Sequence, residues 1–394
     1  MTRKPSLMIL SDSPHLSTGF ATVAKNIASR LKEQWDISFY AVGYAGDYTP
    51  LQREYKLFTT GDGLYGGDRA AELIQVLKPD CVLIINDPWI AGRYTVKIRA
   101  KNTSVPIIVY TPVDAHNLNR EYVQLLNLTT HVVAYTQFGI DRLRESGLTV
   151  PTSIIPHGVD TSVFYPLDMK DARDEFQFPQ DTFIVLNVNA NNPRKNLDYF
   201  FFIFSEWIKK YKRDDALVYY HGQLKGDALD VTQYCEYLGI DDKLMISDPR
   251  LNGAIGLPTD VMRTVYNCAD VYMTTCANEG WGLTVHEALA TATPVIAPDY
   301  SAIGEWAKGG FYKVAVDYRY PKSTQQGLNT VHYLPQYEAC IQALEDMYNR
   351  PDLRKMYSSA GYNVARQDKF SWDVISKQFN SLFNNEIEKV NRNG

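Results

Sequence analysis

Short, nearly uncharged blocks of Val, Ile, Leu and Tyr alternate along this chain with amphipathic stretches, and that rhythm limits the fold more than any other feature. In the first half the blocks are Ser6–Leu10, Ile37–Val42, Cys81–Ile85, Ile107–Tyr110 and Val132–Tyr135. The stretches between them read as helices over Phe20–Lys32, Arg69–Leu77, Ala91–Ala100, Glu121–Leu126 and Ile140–Glu145. A strand that is apolar on both sides of its pleat must be covered on both faces. Such strands alternating with helices predict a parallel sheet between two helical layers.

The rhythm breaks from Thr149 to Pro166, where Pro151, Pro156, Gly158 and Pro166 fit a crossing between domains. It resumes with strand candidates Phe183–Val188, Leu217–Tyr220, Lys243–Ser247, Val271–Thr275 and Pro294–Ala297. Helices are expected at Leu197–Tyr211, Val231–Leu238, Val261–Cys268 and Leu283–Ala290, then at Gln336–Tyr348, Leu353–Gln367 and Trp372–Lys389. The chain has 394 residues, which suits two domains better than one. The expected class is α/β, with two Rossmann-like, doubly wound domains over 1–155 and 156–370. In such sheets ligands bind beyond the carboxyl ends of the strands, so both domains are expected to face a central cleft.

A net charge of −5 gives no support to general binding of nucleic acid or membrane surfaces. The five cysteines are scattered without a C-x-x-C pair, which points to free thiols rather than a disulfide frame or zinc site. Leu7–Leu10 is too short for a signal-peptide core, and no transmembrane segment is expected. The expected compartment is the cytoplasm.

Three segments that follow strand candidates carry chemistry. In Ser17-Thr18-Gly19-Phe20-Ala21-Thr22, Gly19 would let an anion approach the amides that open a helix. An ordinary strand–helix turn explains the same residues. In Pro193-Arg194-Lys195-Asn196, two cations at a strand's carboxyl end are placed to grip a diphosphate. The rival is a solvated surface pair. In Glu279-Gly-Trp-Gly-Leu-Thr-Val-His-Glu287, Gly280 and Gly282 permit a tight turn, and their amides with that of Leu283 can face a phosphate. Glu279 could accept from sugar hydroxyls, and Glu287 from both hydroxyls of a ribose. Thr284-x-x-Glu287 is also a capping-box pattern, in which Glu287 would only serve its own backbone.

At these residues the chain resembles the retaining GT-B glycosyltransferases of family 4 (glycosyl transferases group 1). Their hallmark is two glutamates separated by seven residues, standing here as Glu279 and Glu287, with Pro294-Val-Ile-Ala beyond. Ile155-Pro-His-Gly-Val-Asp160 with Phe164 resembles the interdomain signature, and Pro193–Asn196 the diphosphate element. Ser301-Ala-Ile-Gly-Glu305 is similar to the loop after the donor helix, and Phe370-Ser-Trp372 to the start of the last helix. The resemblance implies a GT-B fold with the helix at 371–394 returning to the N-terminal domain. It implies that Glu279 contacts the transferred sugar and Glu287 the ribose. Arg194 and Lys195 would neutralise the diphosphate in place of a metal, and Gly19 with the amides of Gly282, Leu283 and Thr284 would complete the anion site. No cofactor and no metal are then expected. The first-strand loop has one glycine where many relatives have more, and Ala292 stands where a glycine is common. Either Asp114 or His116 could be the catalytic-side residue of the first domain. His157 and His286 are expected near the site without a catalytic role.

The function so implied is hexosyl or pentosyl transfer from a nucleoside-diphosphate sugar to an acceptor hydroxyl, with retention. The acceptor stays open among a glycan, a lipid, a small molecule and modified DNA. Tyr44 to Gly67 reads as an acceptor loop. Lys209-Lys-Tyr-Lys-Arg213 reads as a solvated helix face or, alternatively, a polyanion or membrane contact. Other functions weighed are a GT-B transferase acting on hydroxymethylated bases of viral DNA, a GT-B nucleotide-sugar epimerase and a non-catalytic carbohydrate-binding protein.

Overall fold

The computed structural model of the chain describes residues 3–44, 54–61, 63–101, 103–247, 256–323 and 330–393. The chain divides into two compact units. Unit 1 comprises residues 1–158 with 323–330 and 369–394, and unit 2 residues 159–322 with 331–368.

Unit 1 is built on strands β1 (Ser6–Asp12), β2 (Asp36–Val42), β3 (Lys56–Thr59), β4 (Cys81–Ile85), β5 (Ile107–Thr111), β6 (His131–Ala134) and β7 (Thr152–Ile154). They lie in the order β3-β2-β1-β4-β5-β6-β7, and each neighbouring pair is parallel. β4 and β5 are buried along their whole length, as their unbroken apolar sequences require. β3 and β7 sit at the two edges and are only partly covered, which is why no apolar block announced them. Helix Trp372–Asn393 belongs to this unit. Its Phe379 and Phe383 are fully buried, and its Asn380 accepts from the Trp35 indole N–H at 2.7 Å. Gly158 is required where this helix begins, since a Cβ there would stand 2.7 Å from the Phe370 carbonyl and 2.8 Å from the Trp372 ring. The segments around His157 and Phe370, far apart in sequence, are thus fitted to each other.

Unit 2 repeats the plan with β8 (Phe183–Val188), β9 (Ala216–His221), β10 (Leu244–Ile246), β11 (Val271–Met273), β12 (Val295–Pro298) and β13 (Tyr312–Val314). The order is β10-β9-β8-β11-β12-β13, again parallel throughout. A separate two-stranded sheet of β14 (Val316–Lys322) and β15 (Thr330–Pro335) follows. Helix Leu197–Tyr211 lays Phe200, Phe201, Phe204 and Trp207 into the core, and the Trp207 indole donates to Glu345 at 2.9 Å. The basic run at the end of this helix is largely engaged within the unit. Lys210 pairs with Glu338 at 3.1 Å, Arg213 pairs with Glu345, and Lys209 donates to the Leu238 carbonyl at 3.1 Å. Those pairings leave little of the run to support a polyanion or membrane contact.

Helix Met169–Phe176 has no counterpart in the sequence reading. Asp168 caps it through the Lys170 and Asp171 amides, and its buried Arg173 bonds Asp270 at 2.7 Å and the Cys268 carbonyl at 2.9 Å. All five cysteines are free and buried. Among the described residues no helix is long and apolar enough to cross a membrane.

Candidate functional site

In a doubly wound sheet the natural ligand position is the switch point, where the chain leaves neighbouring strands in opposite directions. In unit 2 that point lies between β8 and β11, and the loops after these two strands carry the cations and the first glutamate of the sequence reading. After β8, Pro193–Lys195 form a short 3-10 turn closed by Asn196 in the left-handed region, at φ +48°. After β11, residues 274–282 reach the helix Leu283–Ala290. Four hydrogen bonds lock the loops together. The Ala277 amide donates to the Arg194 carbonyl at 3.0 Å, and the Asn187 amide group to the Met273 carbonyl at 3.0 Å. The Asn196 amide group donates to the Thr275 carbonyl at 3.1 Å, and the Thr275 hydroxyl returns a bond to the Asn196 carbonyl at 3.0 Å.

This frame holds Glu279 against both cations. Its carboxylate pairs with the Lys195 ammonium and with Arg194 Nη1 at 3.1 Å. Burial alone pushes the Glu279 carboxyl up, but the opposing charges of Lys195 and Arg194 outweigh it and hold it down at about 2. Glu279 is therefore ionised throughout the physiological range, and its charge is neutralised by side chains that could instead face a diphosphate.

Glu287 is in a different state. The helix Leu283–Ala290 is capped by Gly282 at φ +84° with no side-chain cap, so the capping box is not formed. The Thr284 hydroxyl is bonded to the Tyr272 hydroxyl at 2.8 Å, and Glu287 Oε2 accepts from the Tyr266 hydroxyl at 2.7 Å. The rival reading, in which Glu287 serves its own backbone, is thereby overturned. The first amides of this helix, those of Leu283 and Thr284, have no acceptor within the helix. Gly282 leaves little room, since a Cβ would meet Ile303 at 3.2 Å. Glu287 keeps some open surface, yet burial pushes its carboxyl up to about 7, against a smaller opposing effect of the Tyr266 bond.

The sign of that shift gives a testable result. An acid whose pKa is higher folded than unfolded stabilises the fold most below its ordinary value of 4.5, and the advantage is lost as pH rises to about 7. Glu287→Gln should remove this slope and leave the variant more stable than the parent at pH 8. Urea denaturation of both proteins at pH 5 and pH 8 checks it; equal pH dependence would refute the assignment.

The two histidines behave as structural groups. His286 is buried, accepts from the Trp281 indole at 3.2 Å and bonds the Ala365 carbonyl at 3.1 Å, and burial pushes its pKa down to about 4. Trp281 stacks on Trp306 with ring centroids 4.7 Å apart, so the central residues of the E-x7-E segment form its inner wall. In unit 1, His157 Nδ1 lies 2.6 Å from the Tyr110 hydroxyl, with the Tyr135 ring 3.8 Å away.

Sequence reasoning placed Asn196 and Ser301 only within family-like motifs, gave neither a role of its own, and missed Asn278. Asn196 left no local signal beyond its place after Lys195. Ser301 has φ +50° without being glycine, and its hydroxyl bonds the Glu279 amide and carbonyl, each at 3.1 Å. Asn278 is buried beside Glu279, and neither polar atom of its side chain has a hydrogen-bond partner in the protein. A buried, unsatisfied amide is a group that a ligand can complete.

The sequence-predicted residues of unit 1 lie after β1 and β5. Gly19 opens helix Gly19–Leu31, where the Thr18 hydroxyl oxygen caps the Ala21 amide at 3.2 Å and its hydrogen goes to Asp12. A carboxylate thus stands beside the end where an anion was expected, and burial pushes Asp12 up. Asp114 and His116 share the loop after β5. His116 Nδ1 accepts from Arg142 at 2.7 Å, and burial followed by the Arg142 charge lowers its pKa. That arrangement favours neutral imidazole. Of the expected acceptor loop Tyr44–Gly67, residues 45–53 and 62 lie outside the described residues, and the remainder includes β3.

Comparison with known proteins agrees with this geometry. Residues 182–331 match the family model for glycosyl transferases group 1, which covers Glu279, Glu287 and both cations. A D-inositol 3-phosphate glycosyltransferase of Geodermatophilus obscurus is 27% identical over 186 residues, 46% of this chain and 40% of the relative. The chain therefore spans well under two thirds of that relative's length. The sucrose-phosphate synthase structure from Thermosynechococcus elongatus superposes over 97% of this chain and 99% of its own, with TM-score 0.75 at 15% identity. Anabaena HepE, solved with UDP and glucose, covers 97% of this chain and 100% of its own, with TM-score 0.70 at 15% identity. Two parallel α/β units with such neighbours define the class, a GT-B fold. Within that fold, the second unit carries the match to the glycosyl transferases group 1 model.

Proposed function

We propose that the chain transfers a sugar from a nucleoside-diphosphate sugar to an acceptor hydroxyl with retention at the anomeric carbon, as in family 4. The observation that carries the reading is the Lys195–Glu279–Arg194 cluster at the switch point of unit 2, beside the open amides of helix Leu283–Ala290. In this reading the two cations and the amides of Gly282, Leu283 and Thr284 hold the diphosphate, and Glu287 takes the ribose diol. The bond from the anomeric carbon to the diphosphate oxygen breaks, and the acceptor oxygen bonds to that carbon on the same face. The acceptor proton passes to the departing phosphate oxygen. Glu279 stabilises the positive charge that develops on the sugar, and Arg194 and Lys195 stabilise the leaving group without a metal. Gly19 is retained as an anion contact of unit 1, and Asp114 or His116 as its group toward the sugar. A neighbour solved with UDP and glucose supports a nucleotide-sugar donor.

A thermal-shift screen with UDP-, GDP- and ADP-sugars tests the donor. A ligand at a hundred times its dissociation constant adds about 2.7 kcal/mol, so the true donor should raise the melting temperature by several degrees. No shift with any of them would reject the reading.

A further inference from the structure

The geometry points to the β14–β15 hairpin, with Tyr300, as the wall that selects the sugar ring of the donor, through the aromatic faces of Tyr300, Tyr320 and Tyr333. The inference rests on the donor-site reading and adds to it the element that tells one hexose from another.

Tyr300 is delivered by the same bonds that hold the Glu279 main chain. Ser301, next to it, is kept at φ +50° by its paired hydrogen bonds to Glu279, and the Ala302 amide donates to the Glu279 carbonyl at 3.3 Å. A non-glycine residue in the left-handed region persists only where its surroundings over-determine it, and such positions gather at functional sites. The hairpin meets Tyr300 directly, with the Tyr333 ring of β15 at a centroid distance of 4.2 Å and a tilt of 37°. At the end of β15 the Pro335 carbonyl accepts from the Tyr199 hydroxyl at 3.0 Å, on the helix that begins just past Lys195. The hairpin is therefore fastened to both arms of the Lys195–Glu279 pair. From β14, the Tyr320 ring lies edge-on to His332 at 5.7 Å. Burial raises the Tyr320 hydroxyl pKa, and the nearby Asp198 and Cys276 raise it further, so this side chain too lies close to the two loops.

The chemistry fits a hexose. The diphosphate grip reads charge and is blind to the configuration of the sugar. Hexoses differ by single hydroxyls, and a rigid aromatic wall accepts a C–H face while pressing a misplaced hydroxyl into a dry contact.

Calorimetry on the full chain with UDP, GDP, UDP-glucose, UDP-galactose and GDP-mannose decides the matter, for the parent, Tyr333→Ala and Tyr333→Phe. Tyr333→Ala should keep the parent affinity for the free diphosphate within about twofold. It should weaken the preferred conjugate about fivefold or more and narrow the preference between sugars, with Tyr333→Phe restoring both. Equal losses for diphosphate and conjugate, or no loss for either, would overturn the inference while leaving the donor reading intact. A parent that binds none of the five probes, and neither ADP nor ADP-glucose, overturns the donor reading and this inference together. Should Tyr333→Ala fail to fold, Tyr320→Ala on the neighbouring strand is judged by the same comparison.

Discussion

Replacing Glu279 by Gln should lower the rate of glycosyl transfer by about a hundred- to a thousandfold, the usual cost of losing one preorganised charge at a transition state, while the nucleoside diphosphate binds at least as tightly. The asymmetry follows from the charges. Glu279 pairs with and neutralises Lys195 and Arg194. Its removal leaves two cations facing whatever anion enters, so the diphosphate meets a stronger field. The sugar, developing positive charge, loses the only carboxylate that pairs with these cations among the described residues. The measurements are turnover under saturating donor and calorimetric binding of the free diphosphate. A rate within threefold of the parent, or rate and affinity falling in parallel, would reduce Glu279 to a scaffold. Because the variant also loses a native ion pair, both measurements belong well below its melting temperature.

Lys195→Ala should destabilise the protein at pH 7 by less than the about 3–5 kcal/mol of a fully stranded buried charge, since Arg194 still pairs with Glu279. Arg194 remains, but about a third of its side chain is exposed, against 12% for Lys195. The effect has a pH signature. Glu279 titrates at about 2 in the folded chain against an ordinary value of 4.5. A depressed folded pKa stabilises the protein above 4.5, and that contribution is lost as pH falls toward 2. The gap between parent and variant should accordingly close over this range, because Glu279 of the variant, left with Arg194 alone, takes up a proton more readily. Denaturant titrations at pH 7, 5 and 3.5 follow it. A gap below about 1 kcal/mol at pH 7 would show that the pair is not structural.

Much of this architecture was readable from apolar blocks, because β4, β5 and β8 are buried on both faces and tolerate almost nothing polar. β14 was not readable. Its residues alternate valine and tyrosine with Asp317, Arg319 and Pro321, and most are exposed, so no apolar run marks it. Helix Met169–Phe176 was hidden for another reason: its anchor is the bond of Arg173 to Asp270, 97 positions away. At the site, each charged residue was visible singly, since Arg, Lys and Glu after a strand are unusual enough to notice. Their pairing was not, because Lys195 and Glu279 are 84 positions apart. The Thr284–Glu287 spacing fitted a capping box and a ligand site equally, and only Tyr266, brought alongside by the fold, separates them. Ser301 was visible as the start of a family-like loop, but its left-handed backbone was not, since serine seldom takes that conformation and nothing nearby in sequence demands it.

The helix Trp372–Asn393 completes unit 1 from the far side of unit 2 in the sequence. During synthesis, residues 159–322 and 331–368 are made before this helix. Trp35, Phe39 and the Tyr110–Tyr135 pair are translated early, but Trp35 and Tyr110 must wait for Phe383 and Phe379 to close over them. The usual order of N-terminal unit first is inverted. Unit 2 is thus fully synthesised while unit 1 still lacks the helix that covers Trp35 and Tyr110.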